Sequence, residues 1–100
     1  MLIFQSIYTM TTYAIVYIGA TWCSSCKVMK PSVEVWADCY NLTLRSLDYD
    51  DDLTDEEREQ ITKVPTIRII DTATSAIVVT FNTNHIVQLK DWLKNNVDIQ

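Results

Sequence analysis

Residues 22–27 of the chain read Trp-Cys-Ser-Ser-Cys-Lys, after a hydrophobic run over residues 14–18. The residues that follow are compatible with a helix. A helix that begins at Cys23 points its free backbone N–H groups and its positive dipole end at the first sulfur, which favours a thiolate. Cys26 lies one turn deeper, where it can close a tight disulfide. We interpret Cys23 as a nucleophile, Cys26 as the thiol that resolves a mixed disulfide, and Trp22 as the neighbour of an exposed sulfur.

Two alternatives for the cysteine pair stay open at this point. The cysteines can be ordinary helix residues, or they can form half of a zinc site. A zinc site needs two further ligands, and only Cys39 and His85 remain. We interpret Cys39 as a small residue near a helix end, with a regulatory or intermolecular disulfide as the alternative. His85 is interpreted as a surface or capping residue.

Composition limits the class of protein. At 48% hydrophobic residues and 21% charged residues, the chain can build a core, so we expect a single domain over residues 1–100. A net charge of -5 argues against nucleic acid as a partner. An odd count of three cysteines does not fit a secreted disulfide framework and favours a reducing compartment, so we expect a cytoplasmic location.

The apolar first twenty residues need a separate interpretation. No basic residue occurs before Lys27, whereas a secretory signal requires a basic start. Five polar residues interrupt the stretch, which argues against a membrane span. We therefore expect neither a signal peptide nor membrane association. Residues 1–7 fit a short strand or a first helical turn, and the sequence does not decide between them.

The remaining pattern predicts an α/β sheet with helices on both sides. Residues 13–18 form an apolar, β-rich run that predicts a central strand buried on both faces. A helix is expected from Ser24 to about Tyr40, with a kink at Pro31. Its predicted buried stripe consists of Val28, Met29, Val33, Trp36 and Ala37.

The second half of the chain continues the alternation. Residues 42–47 predict a strand, and Thr54 with Glu57 forms a capping box for a helix that ends near Lys63. Residues 66–70 and 76–81 predict an antiparallel pair around a turn. Asn84 is the expected cap of a last helix, whose buried side carries Ile86, Leu89, Leu93 and Val97.

Two local patterns have competing interpretations. Asp48, Asp50 and Asp52 imitate a calcium loop, but Leu53 stands where such a loop needs glycine, so a solvated acidic loop is preferred. Pro65 begins an apolar strand, where it cannot donate a hydrogen bond to a sheet. A cis bond before it would leave neighbouring backbone groups free to pair with an extended peptide, while a plain trans proline is the commoner alternative.

Taken together, several motifs make the chain resemble the thioredoxin family over about residues 13–97. They are residues 20–27, Pro31, Ala37 and Asp38 with Tyr40, residues 47–50, and Val64-Pro65-Thr66. The resemblance implies a thioredoxin-like fold with a central mixed sheet. It also implies that Cys23 attacks, that Pro65 is a cis-proline beside it, and that Val64 gives backbone contacts to substrate. Ser24, Ser25 and Lys27 are the supporting residues of the motif.

The implied activity is reduction of protein disulfides by a Cys23–Cys26 dithiol, an electron-transport role. The redox-active disulfide then serves in place of a cofactor, and no metal is expected. A thioredoxin-reductase-type enzyme or glutathione would supply the electrons.

The chain also departs from the family pattern. Ser24 and Ser25 replace the usual Gly-Pro, which keeps an oxidase, isomerase or glutaredoxin-like activity open. Tyr17 and Ser46 stand where many members have a buried Asp and its accompanying Lys, so proton transfer would need water or another group. About twelve residues precede the central strand, which implies a shortened N-terminal βα unit and favours a homodimer or another partner. A redox-inactive binding module is the remaining alternative.

Overall fold

The computed structural model describes residues 12–82 and 86–97. The elements are β1 (Tyr13–Gly19), α1 (Ser24–Cys39), β2 (Thr43–Asp48), α2 (Asp55–Glu59), β3 (Thr66–Asp71), β4 (Ile77–Phe81) and α3 (Ile86–Asn96). Their order is the predicted one. The expectations for residues 1–7, for the cap at Asn84 and for His85 lie outside the described residues.

The four strands form one mixed sheet in the order β2-β1-β3-β4. Strand β1 runs parallel to β2 and antiparallel to β3, and β4 pairs antiparallel with β3. The prediction of a central strand is confirmed, since β1 is hydrogen-bonded on both sides and most of its residues are buried. Continuous apolar character suits this position, because neither face of the strand meets water.

The core lies mainly on one face of the sheet. Tyr17 pairs with Ile67 and Ile15 with Ile69, so the four side chains share that face. They pack against α1 and α3, which contribute Met29, Val33, Leu89 and Leu93. On the other face Ile18 forms a smaller cluster with Leu53 and Ile61, the residues that flank α2. The helical segments therefore cover both faces, as predicted.

Helix α2 is shorter than predicted. The expected capping box is present: the Thr54 hydroxyl accepts from the Glu57 N–H, and the Glu57 carboxylate accepts from the Thr54 N–H. The backbone hydrogen bond from Thr54 also lowers the pKa of Glu57. However, the helix ends at Glu59 and not near Lys63. Ile61 turns into the smaller core cluster, and the approach to Pro65 disfavours helical backbone.

The buried stripe of α1 also differs from the prediction in one residue. Met29, Val33 and Ala37 are buried and Trp36 is partly buried, but Val28 is 76% exposed. A helix advances 100° per residue, so position 28 lies about 140° from the middle of a stripe through residues 29, 33 and 37, on the solvent side. Pro31 lies inside the helix, as predicted.

Truncation of Leu89 should test the main core. Leu89 is 0% exposed in α3, so Leu89→Ala should lower the free energy of unfolding by about 2–5 kcal/mol, because it leaves a cavity. Val87 lies in the same helix and is 57% exposed, so Val87→Ala should change it by less than about 0.5 kcal/mol. Urea unfolding measures both. Equal losses in the two variants would contradict the assigned core.

Candidate active site

The end of β1 delivers Cys23 to the start of α1. The chain turns after Ala20, whose carbonyl accepts from the Cys23 N–H at 3.2 Å. Cys23 then has extended backbone and occupies the N-cap position of α1. Its sulfur accepts from the Cys26 N–H at 3.1 Å. The sulfur therefore takes the place of a capping oxygen at the positive end of the helix, where a thiolate is stabilised.

Cys23 and Cys26 are joined as a disulfide, with their Cα atoms 5.3 Å apart. The structure thus brings the two predicted catalytic residues together. It differs from the sequence prediction in accessibility, since Cys23 is only 7% exposed and Cys26 3% exposed. Both cysteines pack into the main core cluster, which is why little of Cys23 reaches the surface.

The loop before β3 lies beside this disulfide. The Val64–Pro65 peptide bond is cis, and the carbonyl oxygen of Val64 lies 3.9 Å from the Cys23 sulfur. Thr66 supports the loop, because its hydroxyl donates to the Lys63 carbonyl at 2.6 Å and accepts from the Asn82 side chain at 3.0 Å. The two predicted substrate-binding positions, Val64 and Pro65, therefore lie beside Cys23.

Trp22 directly precedes Cys23 in the chain. It is 64% exposed, and its indole N–H donates to the Asp50 carboxylate at 2.7 Å. Its ring also meets Tyr49 edge to face, with centroids 6.3 Å apart. The sequence motif predicted Trp22 beside the site but did not predict Asp50 there. No local signal connects the two, since they are 28 positions apart in the chain.

The acidic segment organises its own loop. One oxygen of Asp48 accepts from the backbone N–H groups of Asp50 and Asp51, and the Asp52 carboxylate accepts from the Asp48 N–H. These bonds turn the carboxylates toward the backbone, as a hydrogen-bonded loop requires. Among the residues that the structure describes, no group of three or more acidic, His or Cys side chains is arranged to hold a metal ion.

The three supporting residues of the motif differ in position. The Ser25 hydroxyl lies 3.3 Å from the Cys23 sulfur, within hydrogen-bonding distance of it. Ser24 and Lys27 are exposed on the first turns of α1. Of the two serines that separate the cysteines, Ser25 is therefore the one in contact with the Cys23 sulfur.

Tyr17 occupies the interior behind the disulfide. It is 3% exposed, and its hydroxyl donates to the Cys26 carbonyl at 3.0 Å. Burial raises the pKa of the phenol. Ser46 is its register partner on β2, so the two departures from the family pattern are neighbours. The apolar run over residues 13–18 predicted that Tyr17 lies in a strand buried on both faces, but nothing in it predicted the bond to Cys26.

Cys39 lies at the other end of α1 and is exposed. A helix rises 1.5 Å per residue, so the ends of α1 are separated by roughly 24 Å. That separation keeps Cys39 from sharing a metal ion with the Cys23–Cys26 pair. The zinc alternative is therefore not supported.

Comparison with known proteins agrees with this geometry. The family model described as Thioredoxin matches residues 4–95, so the chain belongs to the thioredoxin family. This match begins at residue 4, whereas the sequence motifs predicted a resemblance over about residues 13–97. Membership of this family and the disulfide between Cys23 and Cys26 place the chain in the thiol–disulfide oxidoreductase class. A search of curated proteins found no match.

Solved structures show the same thioredoxin-like fold. The germline-specific thioredoxin Deadhead of Drosophila melanogaster has a TM-score of 0.75 and 22% identity, covering 86% of this chain and 82% of its own. Plasmodium falciparum thioredoxin has a TM-score of 0.77 and 17% identity, covering 96% and 80%. Thioredoxin O2 of Arabidopsis thaliana has a TM-score of 0.73 and 19% identity, covering 87% and 76%. At these identities the likeness establishes the fold.

In the part of the chain that the structure describes, none of the helices combines the length and apolar character needed to cross a membrane.

The raised pKa of Tyr17 makes a prediction for alkaline stability. Folding favours the protonated phenol, so this contribution is complete below pH about 10 and is lost as the pH rises through the higher folded-state pKa. Tyr17→Phe removes the ionisable group. Its free energy of unfolding should therefore fall less between pH about 9 and about 11 than that of the wild type. Denaturant unfolding at each pH measures the slope, and parallel curves would contradict this assignment.

Proposed function

We propose that this protein reduces disulfide bonds in other proteins by dithiol–disulfide exchange at Cys23 and Cys26. The observation that carries the proposal is the Cys23 sulfur at the N-terminus of α1, where it accepts the Cys26 N–H and is bonded to Cys26. In the reduced protein the same N–H and the helix dipole favour a Cys23 thiolate. Cys26 is then one turn away, within reach of the mixed disulfide.

The exchange needs no oxidant other than the substrate disulfide. The Cys23 thiolate attacks one substrate sulfur, a Cys23–substrate bond forms, and the other substrate sulfur leaves and takes up a proton. Cys26 loses its proton and attacks the Cys23 sulfur, which forms the Cys23–Cys26 bond and releases the second substrate thiol. The substrate gains two electrons and the cysteine pair loses two. A thioredoxin-reductase-type or glutathione-linked donor in the cytoplasm would restore the dithiol.

Substrate contacts are proposed at Val64 and Trp22. The Val64 backbone faces Cys23 next to the buried Pro65, and an extended peptide can pair with backbone groups there. Trp22, the residue before Cys23, offers an exposed aromatic surface. No bound cofactor enters this mechanism, because the disulfide itself carries the electrons.

Substitution of single cysteines tests the proposal. Cys23→Ser should reduce the rate of protein disulfide reduction by more than about a hundredfold, since it removes the nucleophile. Cys26→Ser should retain attack and accumulate a Cys23–substrate mixed disulfide, visible by mass spectrometry. Cys39→Ser is the matched control and should behave as the wild type. Full activity in Cys23→Ser would end the proposal, and partner binding that survives a double Cys23/Cys26 variant would favour a binding module.

One contact favours a second candidate, an oxidase or isomerase. The Ser25 hydroxyl within 3.3 Å can donate to a Cys23 thiolate, which stabilises the reduced form of the pair. Stabilising the dithiol raises the reduction potential, and a more oxidising pair accepts electrons from substrate thiols. The direction of exchange therefore depends on how strongly this hydrogen bond stabilises the Cys23 thiolate.

The reduction potential distinguishes the two directions. Ser25→Ala should lower the potential of the Cys23–Cys26 pair by on the order of 20 mV, because the thiolate loses a donor. Ser32→Ala makes the same change two turns further along α1 and should leave the potential unaltered. Equilibration against defined thiol–disulfide buffers measures it. A wild-type value near or below the cytosolic glutathione poise supports the reductase, and a clearly higher value supports the oxidase or isomerase.

A further inference from the structure

Tyr17 is a buried titratable side chain that the exchange steps above do not use. It lies in the middle of the central strand, two positions before the end of β1. Its hydroxyl donates to the carbonyl of Cys26 at 3.0 Å, which links β1 directly to the first turn of α1. The carbonyl that accepts from Tyr17 belongs to Cys26, which is the resolving cysteine in the proposed exchange.

Gly19 leaves the space that the aromatic ring of Tyr17 occupies. A Cβ atom at position 19 would lie 2.6 Å from the Tyr17 hydroxyl oxygen and 2.8 Å from ring carbon Cε2. Real Cβ atoms do not approach other heavy atoms so closely, so any larger residue would displace the ring. Gly19 is also the single glycine of the chain. The ring is thus held between the end of β1 and the start of α1.

We propose that Tyr17 is a positioning residue for the resolving step, because its hydroxyl fixes the backbone of Cys26 so that the Cys26 sulfur lies in line with the Cys23 sulfur. The inference rests on the proposed exchange function. Sulfur attack on a disulfide requires alignment of the three sulfurs, and small displacements of a reacting group slow such steps. Attack by Cys23 on a substrate precedes this alignment and does not depend on the Tyr17 bond.

The phenol acts here as a donor and not as a base. Burial raises the pKa of Tyr17, so the hydroxyl stays protonated at neutral pH and keeps its bond to Cys26. An open pocket of about 540 Å³ is lined by residues that include Tyr17 and Cys26 and is large enough for water, which can take the proton that Cys26 releases. The charged groups around it are Lys27, Lys30, Asp48 and Asp52.

A chromogenic aromatic disulfide separates the two steps in the intact, reduced protein. Attack by Cys23 releases a first aromatic thiolate, and resolution by Cys26 releases a second. Tyr17→Phe should slow the second release about three- to tenfold and leave the first unchanged, because one hydrogen bond is lost. Stopped-flow absorbance follows both phases. Acid quenching with mass spectrometry counts the mixed disulfide if the phases overlap.

Two further variants make the comparison specific. Gly19→Ala should reproduce the slow second phase, since its Cβ displaces the Tyr17 ring. Tyr40→Phe changes a buried tyrosine at the other end of α1 and should leave both phases as in the wild type. The ratio of wild-type to Tyr17→Phe resolution rates should stay constant from pH about 6 to about 9, because a protonated phenol does not titrate there.

The outcomes separate this inference from the proposed function. Unchanged resolution in Tyr17→Phe, or equal slowing of both phases, overturns the positioning role while the exchange function stands. A rate ratio that varies with pH assigns Tyr17 a proton-transfer role and also overturns it. If the wild-type protein gives neither phase, the exchange function itself fails.

Discussion

The burial of β1 on both faces is the constraint on which the rest of the structure depends. Ile15 and Tyr17 enter the main core between the sheet and helices α1 and α3, while Ile18 enters the cluster on the opposite face. A strand held on both faces and hydrogen-bonded on both edges cannot shift without disrupting the whole core. Its C-terminal end is therefore fixed, and the turn that follows starts α1 at Cys23 in a defined place.

Strand direction explains why three distant segments meet around the start of α1. Because β2 runs parallel to β1, their C-terminal ends lie at the same edge, and the loop after β2 brings Asp50 to Trp22. Because β3 runs antiparallel to β1, it begins at that edge, and the loop before it brings Val64 to Cys23. The site is thus a consequence of one parallel and one antiparallel pairing around the central strand.

The interior behind the disulfide holds one neutral polar side chain, that of Tyr17, whereas Ser46 is exposed. Tyr17 and Ser46 are register partners on β1 and β2, and the Tyr17 hydroxyl is hydrogen-bonded to Cys26. Burying a hydrogen-bonded phenol costs less free energy than burying an ionised carboxylate. The hydrogen bond of that phenol also connects strand β1 to helix α1. A cavity lined by both Tyr17 and Cys26 adjoins this hydrogen bond.

The sequence by itself determined what neighbouring residues control. The apolar run of β1, the cap at Thr54, the extent of α1 and the Cys23–Cys26 pair follow from patterns within a few positions. Only the tertiary structure decided the early end of α2, the exposure of Val28, the burial of Cys23, and the bonds from Tyr17 to Cys26 and from Trp22 to Asp50. The reason is physical: periodicity and capping act over one or two helical turns, whereas these contacts exist only after strand pairing has brought remote segments together.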